Sequence, residues 1–461
     1  MILRIAGGVV AAVFLGAIAY LNLSPVGRIY LPSGTGITAK QLCSMVFVSR
    51  LDEAFARDAY IDPLLGDAAD LLSVSVDHEQ QSVRASVFGL FWRQHAIYRE
   101  GLGCTLDRGG RQFDPALTLP LAREFDPLPL DTAHRDAHFD TDAINAALDN
   151  AFADTEPARR HTLGVAVLHQ GRLVAERYAP QADRNTRFLG WSMTKSVAAT
   201  LAGVLVQDGD ITLDHVPESF AGLEDRQDIT LEHLLRMNAG LALREGNDGT
   251  DPTSQMLFTQ RDMVRFAATR ERLHAPGEHW EYMSGSTVLA TRALQDRLGD
   301  TLEDQVTGLR ERLFEPLGIH TAIMEPDASG TLVGSSYMYA TAHDWARLAQ
   351  LYLDGGLVDG QRIIPANWPD LATDATPGSA DPYGLGFWNP PASNNLPAGT
   401  YTMHGFQSQL AFIMPEQGLV VVRFGATNNV SSGSYDLARE IVAALREPAP
   451  EEPQATIEDA Q

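Results

Sequence analysis

GWSMTKSVAATLAGVLVQDG, residues 190–209, has the pattern of a helix with a chemically loaded start. Val197, Leu201 and Val204 recur at helical spacing, and Gly209 supplies a C-terminal stop. Ser192 and Lys195 stand at i and i+3, so at the start of a helix they share one face. Of the 35 lysines and arginines in the chain only Lys40 and Lys195 are lysine. Arginine cannot lose its proton in a protein, whereas a buried lysine can. A chain that uses arginine almost everywhere yet keeps lysine three residues after a serine points to a base beside a nucleophile. Serine attacks poorly until a neighbour takes its proton, and Lys195 can take it only if burial or a nearby cation depresses its pKa. The helix N-terminus adds positive potential where an oxyanion would form, and the Ser192 amide can donate to it. As a bare pattern the spacing also fits a capping serine followed by a solvated lysine.

Upstream, GVAVLHQGRLVAERYAP (164–180) reads as two strands joined at Gln170-Gly171, preceded by a helix near 142–154. Downstream, 212–355 is mainly helical, including ITLEHLLRM and HDWARLAQLYLDGG. From 400 the segment TYTMHGFQSQLAFIMPEQGLVVVRFGAT reads as two or three strands, and SYDLAREIVAAL as a last helix. Strands, a long helical insertion, then strands again imply one sheet assembled from both ends of a domain. The polar, glycine-rich segment 243–257 reads as a surface loop, with substrate contact as the alternative.

FLGWSMTKS, ITLEHLLRMNAGL, GEHWEYMSGS, LFEPLGI and YGLGFW, in that order, resemble the serine β-lactamase-like superfamily. That group includes class C β-lactamases, penicillin-binding D,D-peptidases, related esterases and 6-aminohexanoate-dimer hydrolases. The resemblance covers about 140–446. It implies a mixed α/β (α+β) fold, with an antiparallel sheet flanked by helices and a helical subdomain bounding a cleft. It makes Ser192 the nucleophile and Lys195 its partner. The superfamily's second motif matches Tyr282-Met283-Ser284. A phenol near an ammonium ionises more easily, so Tyr282 is a second candidate base, and Ser284 a partner of Lys195 or substrate. Either Lys195 or Tyr282 could activate Ser192.

The third motif departs from the family. Its usual Lys-Thr-Gly or Lys-Ser-Gly cannot exist here, because neither lysine of the chain is placed for it. The counterpart is MHGFQSQ, with His404 in place of the lysine, Gly405 allowing close backbone approach, and an amide at Phe406 or Gln407 completing an oxyanion hole. The missing lysine would ordinarily pair with a substrate carboxylate. A histidine is at best partly charged at neutral pH. The expectation is therefore a serine hydrolase, an esterase or amidase acting on a small-molecule ester or linear amide through an acyl-enzyme. The alternatives are a D,D-peptidase or β-lactamase, or a non-catalytic membrane-tethered binding protein. No cofactor is required.

The rest of the sequence sets the surroundings. Ile5–Leu23 carries no charge and is about one hydrocarbon core long as a helix, so residues 1–25 are an expected transmembrane anchor, with a cleaved signal as the alternative. Either places the catalytic domain outside the cytoplasm, anchored at the inner membrane and facing the periplasm, or secreted. Cys43 and Cys104, the two cysteines of the chain, are then an expected disulfide within an N-terminal region, 26–139. In that region VSVDHEQQSVRASVFG reads as a hairpin, and FDPLPLDTAHRDAHFD as a connector. The hydrolase domain occupies 140–446 and an acidic, disordered tail 447–461. A formal net charge of −24 argues against nucleic acid. Gly190-Trp191-Ser192-Met193-Thr194 lacks the second glycine of a nucleophile elbow, no Walker A is possible, and the thirteen histidines look scattered, with no metal site expected.

Overall fold

The computed structural model describes residues 16, 20, 23–110, 113–154, 160–379, 381–428 and 430–446. A π-helical turn (Val26–Tyr30) runs straight into helix α1 (Leu31–Phe47), where Pro32 has no N–H to give and the Trp92 indole donates to the Gly27 carbonyl at 2.7 Å. A short helix α2 (Asp62–Leu65) and an antiparallel meander follow: β1 (Leu72–Asp77), β2 (Ser82–Val87), β3 (Phe91–Arg99) and β4 (Gly103–Leu106). The hairpin expected over 74–89 is β1–β2, with Leu72 opposite Val87 and Asp77 opposite Ser82. α1 packs on β2, β3 and β4, and the expected Cys43–Cys104 disulfide pins it there, Cα atoms 6.0 Å apart. The bond fits an oxidising compartment.

The connector expected at 125–140 contains a helix of its own, α3 (Thr132–His138), capped by Asp131. Next come α4 (Thr141–Phe152) and the hairpin β5 (Thr162–His169) and β6 (Arg172–Tyr178). Gln170 and Gly171 both adopt left-handed backbone (φ 52° and 77°), the turn geometry that matches strand twist. α5 (Thr194–Asp208) ends, as expected, at a left-handed Gly209. The helical segment contributes α6 (Leu231–Leu235), α7 (Pro252–Thr259), α8 (Ser284–Gln295) and α9 (Ala342–Leu353). Short strands β7 (Phe188–Leu189), β8 (Ile323–Met324) and β9 (Met338–Ala340) form a small sheet, and β10 (Leu357–Val358) and β11 (Gln361–Arg362) a hairpin. The chain closes with β12 (Tyr401–Gly405), β13 (Gln409–Met414), β14 (Leu419–Gly425) and α10 (Ser434–Ala443).

The main sheet has the order β12-β13-β14-β5-β6, antiparallel throughout. The expectation of a sheet assembled from both ends of the domain holds. β5, β13 and β14 are buried at every position, because helices cover both faces. Val165 and Val167 of β5 pack with Ile144, Leu148, Leu437 and Ile441 on the side of α4 and α10. Ala166 and Leu168 face the other way, into the core that holds Val197, Leu201 and Trp345. Strand periodicity thus sends alternate residues into two cores.

Lys40, the second lysine, is buried in α1. Its Nζ pairs with Glu325 and donates to Ser44 Oγ at 3.1 Å, while Ser44 Oγ and the Cys104 amide donate to Glu325 Oε1 at 2.7 and 2.6 Å. One buried ion pair therefore ties the N-terminal helix to the residues that follow β8. Removing one partner would strand the other charge, a loss of about 3–5 kcal/mol. Among the described residues no helix is long and apolar enough to cross a membrane. The expected anchor, Ile5–Leu23, falls outside the described residues apart from Gly16, Tyr20 and Leu23, so the structure lends it no support. The tail 447–461 also lies outside them.

Candidate active site

Ser192 sits in a single 3-10 turn, Trp191–Met193, that runs directly into α5. Trp191 is left-handed (φ 47°), an unfavourable geometry for a bulky residue. It is held by its surroundings: the indole Nε1 donates to Gln407 Oε1 at 3.1 Å, and the ring meets Phe406 edge-on at 5.7 Å. β12 packs against this turn. A Cβ on Gly405 would lie 2.1 Å from the Gly190 carbonyl oxygen, so only glycine lets the strand end come this close.

Lys195, the second residue of α5, is buried and its Nζ has three partners. They are Ser192 Oγ at 3.0 Å, Ser284 Oγ at 2.9 Å and the Ser335 carbonyl oxygen at 3.1 Å. Ser284 opens α8, and its Oγ and amide both donate to Glu245 Oε2, at 2.6 and 3.1 Å. These partners fix what the amine does. A carbonyl oxygen accepts only, and a hydroxyl whose proton is committed to Glu245 accepts from Lys195. A neutral Lys195 therefore spends both N–H bonds on Ser335 and Ser284, and its lone pair faces the Ser192 hydroxyl. Burial pushes the Lys195 ammonium down to about 8, against a smaller upward pull from Glu245. No nearby cation is needed for the shift.

Tyr282 is half-buried, its ring 4.8 Å from Lys195 Nζ and its hydroxyl within electrostatic reach of the Ser192 side chain. The expectation that lysine would ease its ionisation is corrected. Burial first, then Glu245 and Tyr383, hold the phenol well above its usual range. The phenol is thus held in its protonated form. Tyr383 and Trp388, from the YGLGFW segment, pack edge-on and tilted against its ring at 5.7 and 5.2 Å.

A cavity of about 310 Å³ opens beside Ser192. Trp191, Glu245, Asn247, Asp248, Leu257 and Phe406 line it, so the segment 243–257 is a cleft wall rather than a bystander loop. The opposite wall comes from the N-terminal region, through Tyr30, Ile37, Leu64 and Leu65. α1 lies flush against α7 here: a Cβ on Gly36 would sit 2.2 Å from the Phe258 carbonyl oxygen. The described lining contains two carboxyl groups and neither lysine nor arginine. Tyr282, Ser284, His404, Gly405 and Gln407 lie outside it.

His404 occupies β12 with an exposed side chain, and its pKa is lowered by the surrounding protein against a weaker pull from Asp381. It is not the fixed cation that a lysine would be. The buried Gln407 side chain is committed to Trp191, the Tyr60 carbonyl and Asn428, so any contact with substrate falls to its amide. Sequence reasoning missed Glu245, which carries no motif, and Ser335, which acts through its backbone. It also missed the N-terminal wall, whose residues carry no motif.

The family model described as Beta-lactamase matches residues 148–445. The chain belongs to the Beta-lactamase family. It is 25% identical over 230 residues to 6-aminohexanoate-dimer hydrolase of Paenarthrobacter ureafaciens, covering 44% of this chain and 54% of that one. The chain thus spans about half the length of that relative. It is 26% identical to penicillin-binding protein 4 of Amycolatopsis lactamdurans, over 69% of this chain and 91% of the other. A solved structure, "Putative 6-aminohexanoate-dimer hydrolase from Bacillus anthracis", superposes with a TM-score of 0.54 at 19% identity, covering 70% of this chain and 87% of its own. That likeness concerns the fold. The matched range holds the antiparallel main sheet, the helical segment, and Ser192 and Lys195.

Proposed function

We propose that this protein is a serine hydrolase that cleaves esters or small linear amides through an acyl-enzyme. The observation that carries the reading is the set of partners around Lys195, which leaves the amine lone pair no other target than the Ser192 hydroxyl. Ser192 Oγ attacks the carbonyl carbon as its proton passes to Lys195 Nζ. The oxyanion forms between the Ser192 amide and the amide of Phe406 or Gln407 at the end of β12. Lys195, with Tyr282 as a neutral relay, returns the proton to the leaving oxygen or nitrogen as its bond to carbon breaks. Water then adds to the Ser192 ester carbonyl as its proton passes to the Lys195 amine, and Lys195 returns that proton to Ser192 Oγ as the ester C–O bond breaks and the acid leaves. Tyr282 thereby acts on protons, Ser284 orients Lys195, and His404 acts at most on substrate orientation.

The cavity favours substrates without a carboxylate near the scissile bond, since Glu245 and Asp248 face it and no lysine or arginine does. The similarity to penicillin-binding protein 4 over most of its length supports a second reading, action on peptidoglycan peptides. Exported placement at the inner membrane through residues 1–25 belongs to the same proposal. Labelling with a fluorophosphonate and with a penicillin probe, followed by peptide mapping and a panel of p-nitrophenyl esters, linear amides, nitrocefin and D-Ala-D-Ala peptides, tests all of this. Phosphonate labelling at Ser192 with ester or amide turnover supports the first reading. Penicillin labelling with peptide turnover supports the second. Absence of any label would refute both and leave a binding protein.

A further inference from the structure

Three of the thirteen histidines that look scattered in the sequence meet in space. His134 and His138 lie one turn apart on α3, with ring centroids 4.1 Å apart, and His169 ends β5 with its ring 5.0 and 5.1 Å from theirs. One ring nitrogen from each lies within 4.8 Å of the others. We propose that His134, His138 and His169 form a three-imidazole site for a borderline divalent cation of the zinc class, which fastens the segment entering the hydrolase domain to the end of β5.

The local geometry prepares the site. His138 Nδ1 lies 2.9 Å from the His134 carbonyl oxygen, an acceptor only, so Nδ1 carries the proton and Nε2 presents its lone pair. A ring N–H on a backbone carbonyl is how metal-binding histidines are commonly oriented. His134 Nε2 and His169 Nδ1 face each other at 2.9 Å, close to the separation of two nitrogens on one ion at metal–nitrogen distances of about 2.0–2.1 Å. His169 is buried against the edge of the Phe139 ring at 5.1 Å, which blocks the inner side. His134 and His138 are half-buried, which leaves the outer side to water as a further ligand. Asp131 cannot serve: its Oδ1 caps the His134 amide at 2.9 Å and its Oδ2 holds Arg172 at 2.8 Å. An all-imidazole set selects zinc, copper, nickel or cobalt over magnesium or calcium.

The strand order puts β5 three places from β12, so this site stands apart from Ser192. The Arg446 amide donates to the His138 carbonyl at 2.8 Å, so the same turn also holds the segment that follows α10. The role read from this placement is structural.

The test uses the full chain, stripped with a chelator and titrated with Zn2+ by calorimetry and with Co2+ by visible absorption. Expected are one equivalent of saturable binding, a tetrahedral or five-coordinate Co2+ spectrum, and a melting temperature that rises with Zn2+. His138→Gln and His134→Ala should each weaken Zn2+ binding at least tenfold while circular dichroism stays unchanged. A control pair, His274→Ala with His279→Ala, whose rings also touch (centroids 4.4 Å), should leave it intact. Absence of saturable binding, binding that survives in both α3 variants, or loss in the control pair would overturn the proposal. Ester hydrolysis should not change with occupancy, and a rate that tracks bound Zn2+ would overturn the structural role.

Discussion

Replacing Lys195 by arginine separates a base from a charge. With its pKa at about 8, Lys195 is neutral in roughly one molecule in ten at pH 7. An unperturbed lysine would be neutral in fewer than about one in a thousand, so burial alone raises the competent population by more than a hundredfold. Arginine stays protonated above pH 12, and fewer than about one molecule in 100,000 would present a lone pair. The population ratio between lysine and arginine is thus about four orders of magnitude, roughly 5 kcal/mol in the barrier. Lys195→Arg should lower kcat/KM for the best p-nitrophenyl ester at least a thousandfold. The assay needs stopped-flow or long-time hydrolysis for both proteins, with circular dichroism and a melt to confirm folding. A folded Lys195→Arg protein within tenfold of the parent would refute the lone-pair argument, whatever its KM.

The rate of the parent should climb with pH to a plateau, with its midpoint near 8, and Glu245→Gln should move that midpoint lower because the carboxylate raises the lysine; an upward move would refute the assignment. The same shift has a stability sign. A depressed lysine is a cost fully present below pH 8 and relieved as pH rises to 10.5, so the stability difference between the parent and Lys195→Met should grow in the parent's favour by roughly 3 kcal/mol across that window, measured by urea unfolding. Reducing the chain's cross-link by Cys43→Ser with Cys104→Ser opens a loop of sequence separation 61 and should cost about 4 kcal/mol; a loss below about 1 kcal/mol would contradict it. Gly405→Ala forces β12 away from the Gly190 carbonyl and should lower kcat/KM about a hundredfold with little change in melting temperature, and activity within threefold of the parent would dissociate β12 from the oxyanion site.

Much of this was legible in the chain. The Gln170-Gly171 turn, the Gly209 stop and the alternating strands are local signals, set by backbone preferences that a few residues express. That Ser192, Lys195, Tyr282 and Ser284 would meet was legible from their motifs and the order of those motifs. What stayed hidden depends on distant contacts. Nothing local marks Glu245 as the acceptor of the Ser284 proton, or Ser335 as a carbonyl ligand, since any residue supplies a carbonyl. The state of Tyr282 turned on how tightly aromatic neighbours enclose it, which spacing does not encode. Lys40 looked like an ordinary basic residue, yet both lysines are buried. The histidine trio joins residues from a helix and a strand end that have no shared motif.

The wall contributed by α1 and α2 gives selection and cutting to different parts of the polypeptide. Ser192, Lys195 and Tyr282 could stay fixed while Tyr30, Ile37, Leu64 and Leu65 change, because the disulfide and the Lys40–Glu325 pair hold that wall by residues that do not face the cavity. Grafting a related N-terminal segment onto this core is then a route to new substrate preferences that leaves the reaction centre untouched.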